Sequence, residues 1–151
     1  MKTKVHAIAG IIGFLMIALF WASTIYSELF TDHATVAAVK AAILNGMFIF
    51  LPAMAIVGAS GMSLGGKRRD RLSVAKKKRM PIIAANGLVI LLPAAFYLES
   101  KAASGAFDTI FYAIQFLELI AGAANLTMMG LNIRDGLTLT GRIRKGRNQQ
   151  V

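Results

Sequence analysis

Four runs of mainly apolar residues divide this chain, at roughly residues 5–30, 35–60, 80–98 and 107–133. Each reaches or approaches the ~20 residues that a helix needs to cross the hydrocarbon core of a bilayer. In lipid, every backbone N–H and C=O must be satisfied inside the spanning structure, and a single run achieves this only as a helix. The expected fold class is therefore all-α: a four-helix transmembrane bundle forming one integral membrane domain over residues 1–151. The composition agrees, with 56% hydrophobic residues, more than the roughly half found in soluble domains.

Charge sets the expected orientation. The net charge is +10, and 15 of the 17 basic residues fall on one side of the four runs. Lys2 and Lys4 precede the first. Lys67, Arg68, Arg69, Arg71, Lys76, Lys77, Lys78 and Arg79 lie in a basic loop at 61–79. Arg134, Arg142, Arg144, Lys145 and Arg147 lie in a basic tail at 134–151. The other two, Lys40 and Lys101, are expected on the opposite side with Glu28, Asp32, Glu99 and Asp108. The positive-inside rule puts both termini and the central loop in the cytoplasm, with short outer loops. The first run is long for a signal-peptide core and no small-x-small cleavage site follows it, so it is expected to be retained. A multi-pass protein of the bacterial inner membrane is the resulting expectation. The basic segments suit anionic lipid at the cytoplasmic face. They lack interleaved aromatics or any binding motif, which argues against nucleic acid.

One face of the fourth run is polar. Gln115, Glu118, Gly122, Asn125, Met129 and Asn132 follow one another at spacings of three and four, which aligns them on a helix. Ionisable groups at membrane depth are costly and by default face a partner, a cavity or a path. Glu118 is read as the only acid at that depth, near the midplane, where a lone carboxylate is expected to keep its proton. Trp21 and Tyr26 are expected in the interfacial aromatic belt. At the exit of the fourth run, Arg134 and Asp135 are expected to pair, with Gly136 ending the helix.

A short repeat links the second and third runs. Residues 45–53 read NGMFIFLPA and residues 86–94 read NGLVILLPA, six identities in nine at an offset of 41. The two copies would cross the bilayer in opposite senses, which is the pattern of an inverted pair. Each carries an asparagine seven residues before a proline, Asn45 before Pro52 and Asn86 before Pro93. The prolines remove a backbone donor and are expected to bend both helices. Asn45 and Asn86 are expected to meet the seam of the fourth run in two layers.

The remaining chemistry is sparse. There is no cysteine, which removes disulfides, thiolate nucleophiles and Cys-ligated metals. His6 and His33, at opposite ends of the first run, offer neither zinc spacing nor a paired haem clamp. No nucleophile elbow, phosphate loop or carboxylate pair occurs. Four short spans with a membrane glutamate are also the layout of small multidrug exporters, but there the essential glutamate lies in the first helix, and no residue is matched to theirs. The leading expectation is a non-enzymatic protein that transports or conducts a small solute, proton or cation, with no cofactor or metal required. Glu118, Gln115, Asn125, Asn132, Asn45 and Asn86 are its path residues, and Pro52 and Pro93 its bending points. A bundle this small suggests a homo-oligomer or a membrane-protein partner. The alternatives are an accessory or assembly subunit of a larger membrane complex, and a haem- or quinone-binding redox module.

Overall fold

A computed structural model describes residues 2–65 and 70–141. The expected features at Lys67, Arg68 and Arg69 and in the tail beyond residue 141 lie outside the described residues. The chain forms α1 (Lys2–Phe30), α2 (His33–Gly65), α3 (Arg71–Asn86), a π-helical turn (Gly87–Leu91), α4 (Leu92–Ala103) and α5 (Thr109–Leu139). The α3 segment, the π turn and α4 run on as one helix, Arg71–Ala103. Among the described residues the fold is thus all-helical, with four helices long and apolar enough to span a membrane.

Helix starts are written in local chemistry. Asp32, Asp70 and Asp108 precede α2, α3 and α5, and their carboxylates accept the backbone N–H groups of Thr35, Ser73 and Phe111 at 2.9, 3.0 and 2.9 Å. These bonds satisfy donors that a helix N-terminus leaves free. The Lys101 ammonium and the Phe111 amide hold the Asp108 carboxyl below its usual range. Hydrogen bonding to Thr35 does the same for Asp32. Gly105 turns the chain between α4 and α5 at φ +71°, a conformation open to glycine at little cost.

Three boundaries differ from the sequence expectation. The third span is longer than 80–98, because Arg71–Arg79 continues as helix behind the Asp70 cap. The basic loop at 61–79 is therefore largely helical on its C-terminal side. On its N-terminal side, α2 runs through Gly58 and Gly61 without a break. A Cβ on Gly61 would stand 2.5 Å from the Met80 methyl carbon, so this glycine lets α2 approach α3 closely. Gly136 does not end α5, which continues to Leu139 and is closed by Gly141 at φ +72°. Gly136 instead makes room for Lys76, whose Nζ would lie 3.3 Å from a Cβ there.

The helices form a ring. α1 packs on α2 and α5, α2 on α4, and α3 and α4 on α5. The links at 31–32 and 104–108 are short, so successive spans are antiparallel neighbours. One apolar cluster, Val36, Leu98, Ala102 and Phe111, closes the end near these links. A second, Ile17, Ile83 and Met129, lies deeper in the bundle.

Candidate functional site: a layered polar interior

The polar face of α5 turns inward. Gln115, Gly122, Asn125 and Met129 are buried, Glu118 and Asn132 are half-buried, and Asp135 extends the face by one more turn. Along it, polar groups form three layers separated by apolar packing.

In the first layer, Lys40 Nζ donates to Glu118 Oε2 at 2.7 Å. Lys40 lies at the short-link end within electrostatic reach of Glu28, but it is only 2% exposed and so stands inside the bundle. It lies seven residues into α2, about 10 Å along the axis. The buried positions Val36, Lys40 and Ile43 follow at spacings of four and three, so Lys40 shares the inward stripe of its helix. That spacing is legible in the sequence and is the signal that could have found it. Glu118 is consequently not a lone acid. Pairing with Lys40 puts its level about 13 Å in from the start of α5.

Two further groups belong to this end of the bundle. Glu28 on α1 is within electrostatic reach of Lys40 and Glu118, so Glu118 is not the only acid within a span. One Glu28 oxygen and both amide atoms of Gln115 are buried without a hydrogen-bond partner among the described residues. Trp21 is half-buried. Its indole enters the bundle, donates to the Leu119 carbonyl at 2.9 Å and covers Gly122, where a Cβ would stand 2.9 Å from Trp21 Cδ1. Tyr26, by contrast, is exposed. A cavity of about 50 Å³ remains beside the Glu118 side chain, bounded also by Trp21, Thr24, Met47, Leu91 and Gly122.

The second layer joins α3 to α5. Asn86 Nδ2 donates to Asn125 Oδ1 at 2.9 Å and to the Ala121 carbonyl at 2.8 Å, and Asn125 Nδ2 donates to the Ile83 carbonyl at 3.3 Å. The third layer lies at the basic end. Arg79 Nη1 donates to Asp135 Oδ2 at 2.6 Å and to Asn132 Oδ1 at 3.3 Å. The expected Arg134–Asp135 pair is present at 3.2 Å, but Arg79 is the closer partner of that buried carboxylate. The Ile17–Ile83–Met129 cluster separates the second layer from the third.

Asn45 does not join the interior. It is exposed on the outer side of α2, so only one of the two repeated asparagines meets the seam. The cause is helical phase. In α2 the α-helical register continues through Pro52, and eight residues then place Asn45 about 80° away from the buried Ala53. In the other copy the π turn takes up about one extra residue, which brings Asn86 into line with the buried Ala94.

The histidines take hydrogen-bond and ring partners outside the layers. His6 shares a hydrogen bond with Ser60 at 2.9 Å, and His33, at the start of α2, stacks on Phe107 with ring centres 4.0 Å apart. Among the described residues, no group of three or more His, Cys, Asp or Glu is placed to hold a metal ion. No protein-family model matches the chain, and no curated protein or solved structure is detectably similar to it.

Proposed function

We propose that this is a multi-pass protein of the bacterial inner membrane that binds and passes protons at the Lys40–Glu118 layer. Both termini and the basic turns of α3 face the cytoplasm in this reading, following the side on which Arg71, Lys76, Lys77, Lys78 and Arg79 cluster. There they also meet anionic headgroups.

The observation that carries the proposal is the buried ion pair with a small cavity against it. Desolvating two ions costs several kcal/mol each, and apolar replacements of such pairs are often as stable. Cohesion alone is thus a poor reason to place Lys40 and Glu118 inside apolar helices. The cavity has room for one or two waters and is too small for an organic solute. Lys40 already compensates the Glu118 charge, which weakens the case for a metal cation. A proton requires neither space nor a free charge.

The step is simple. A hydronium in the cavity gives its proton to a Glu118 oxygen and is left as water, the attraction to Lys40 falls, and the lysine is released; return of the proton to water restores the pair. Gln115, one turn away on α5, offers polar atoms with no hydrogen-bond partner among the described residues on the same face. The Asn86–Asn125 layer and the apolar cluster beneath it close the route toward Asn132 until the helices move. Pro52 and Pro93 mark where they bend. No bond chemistry and no cofactor enter this reading.

Glu118→Gln is expected to abolish proton flux into proteoliposomes under an imposed pH gradient, and flux equal to the parent protein removes the carboxylate from the mechanism. The double variant Lys40→Met with Glu118→Met separates function from fold. It should remain helical and about as stable as the parent, yet carry no flux.

A further inference from the structure

The α2 copy of the repeat turns its asparagine out of the bundle. Asn45 stands twelve residues into α2, about 18 Å along the axis, well inside the span His33–Gly61. On that face Leu44, Phe48 and Leu51 of α2, with Leu92 and Phe96 of α4, border a groove of about 520 Å³ that also includes Asn45. Phe48 is 81% exposed. The other side of α2 is already occupied: Ile43 and Ala53 are buried, and Gly46 lies against the Phe20 ring of α1. An amide in hydrocarbon with its donors and acceptor unmet costs several kcal/mol. Asn86 shows what the same residue does where an amide faces it.

We infer that the α2–α4 groove is the interface of a homodimer, in which a second copy packs about a two-fold axis normal to the membrane and the two Asn45 side chains bond to each other. Such an axis keeps equivalent residues at equal depth and sets a patch against itself. A carboxamide carries both donor and acceptor, so it is its own complement. A second copy therefore supplies the needed amide at the needed level. Phe48, one turn further along, is the projecting side chain, and the groove beside it receives its counterpart. Interhelical amide bonds of this kind are an established means of joining membrane helices. The inference does not depend on the proton reading: Met47 borders both the groove and the Glu118 cavity, but Asn45 and Phe48 belong to neither the ion pair nor that cavity.

The absence of cysteine gives a clean test. Single variants Asn45→Cys and Phe48→Cys are expected to form disulfide-linked dimers on mild oxidation in native membranes. Leu19→Cys, on the outward face of α1 with 65% exposure, is expected to stay monomeric. Asn45→Leu should lower the dimer fraction in detergent by about tenfold in association constant, with unchanged helical circular dichroism, and Asn45→Gln should restore it. Cross-linking at Leu19 but not at Asn45 or Phe48 would overturn the interface. So would a protein that stays monomeric throughout, or adducts of the Asn45 variant with a different protein.

Discussion

The two copies of the repeat share six residues of nine and behave differently. Both bury their alanine, Ala53 and Ala94, and both expose their proline. Yet Asn86 bonds across to α5, while Asn45 faces outward. The difference lies in the backbone between the shared residues. Before Pro93 the chain widens, and the Leu92 N–H donates to the Gly87 carbonyl five residues back. Before Pro52 the helix keeps its ordinary register. One wide turn is worth about 100° of phase, enough to move an amide from the outer surface to the interior. An identical pattern can therefore supply a bundle contact in one helix and a surface feature in the next.

The largest expected contrast is between the prolines. Replacing a helix-interior proline with alanine restores a backbone donor, worth up to about 3 kcal/mol. Pro52→Ala is expected to raise thermal stability in detergent. Pro93→Ala should gain far less, or lose stability, because closing the π turn swings Asn86 off Asn125. Equal gains for the two variants would break the phase explanation.

The glycines come next. A Cβ on Gly46 would stand 2.6 Å from Phe20 Cζ, whereas one on Gly87 would meet nothing nearer than Asn125 Nδ2 at 3.8 Å. Gly46→Ala is expected to cost about 1–3 kcal/mol by overpacking, and Gly87→Ala to be neutral within error. The asparagines follow. Asn86→Leu removes two hydrogen bonds and should cost about 1–2 kcal/mol in the monomer, read as a lower melting temperature. Asn45→Leu should leave the monomer unchanged.

The smallest effect lies outside both copies. Asp32 and Asp108 are caps whose folded pKa values lie below the ordinary range. Their contribution is thus complete above the unfolded pKa of about 3.9 and is lost as pH falls through the folded value. Stability should be flat in these groups from neutral pH down to about 4 and decline only in stronger acid. Asp108→Asn should flatten that decline, and an unchanged acid limb would show that the cap does not titrate with folding.

Much of the fold was legible because lipid-spanning helices are dictated by local composition. The four helices follow from the length of the apolar runs, and the inward face of α5 from the three-and-four spacing of Gln115, Glu118, Gly122 and Asn125. The far end of that face was harder. Arg79 reads as one of several loop charges, and only the continuation of α3 past the Asp70 cap brings it to Asp135. A charge count gives Lys40 its end of the bundle but not its burial, although its own spacing from Val36 and Ile43 marks it as inward. Trp21 was assigned by residue type, which says nothing about the gap that Gly122 leaves on another helix.

What the sequence determined alone is therefore the helical content, the number of long apolar helices and the polar stripe of α5, since these depend on residues close together in the chain. What only the tertiary structure decided is partnership: Lys40 with Glu118 across 78 positions, Arg79 with Asp135 across 56, and Asn86 rather than Asn45 with Asn125. Those pairings depend on helix phase and on which helices are neighbours. A single wide turn changes the first, and packing between distant segments sets the second.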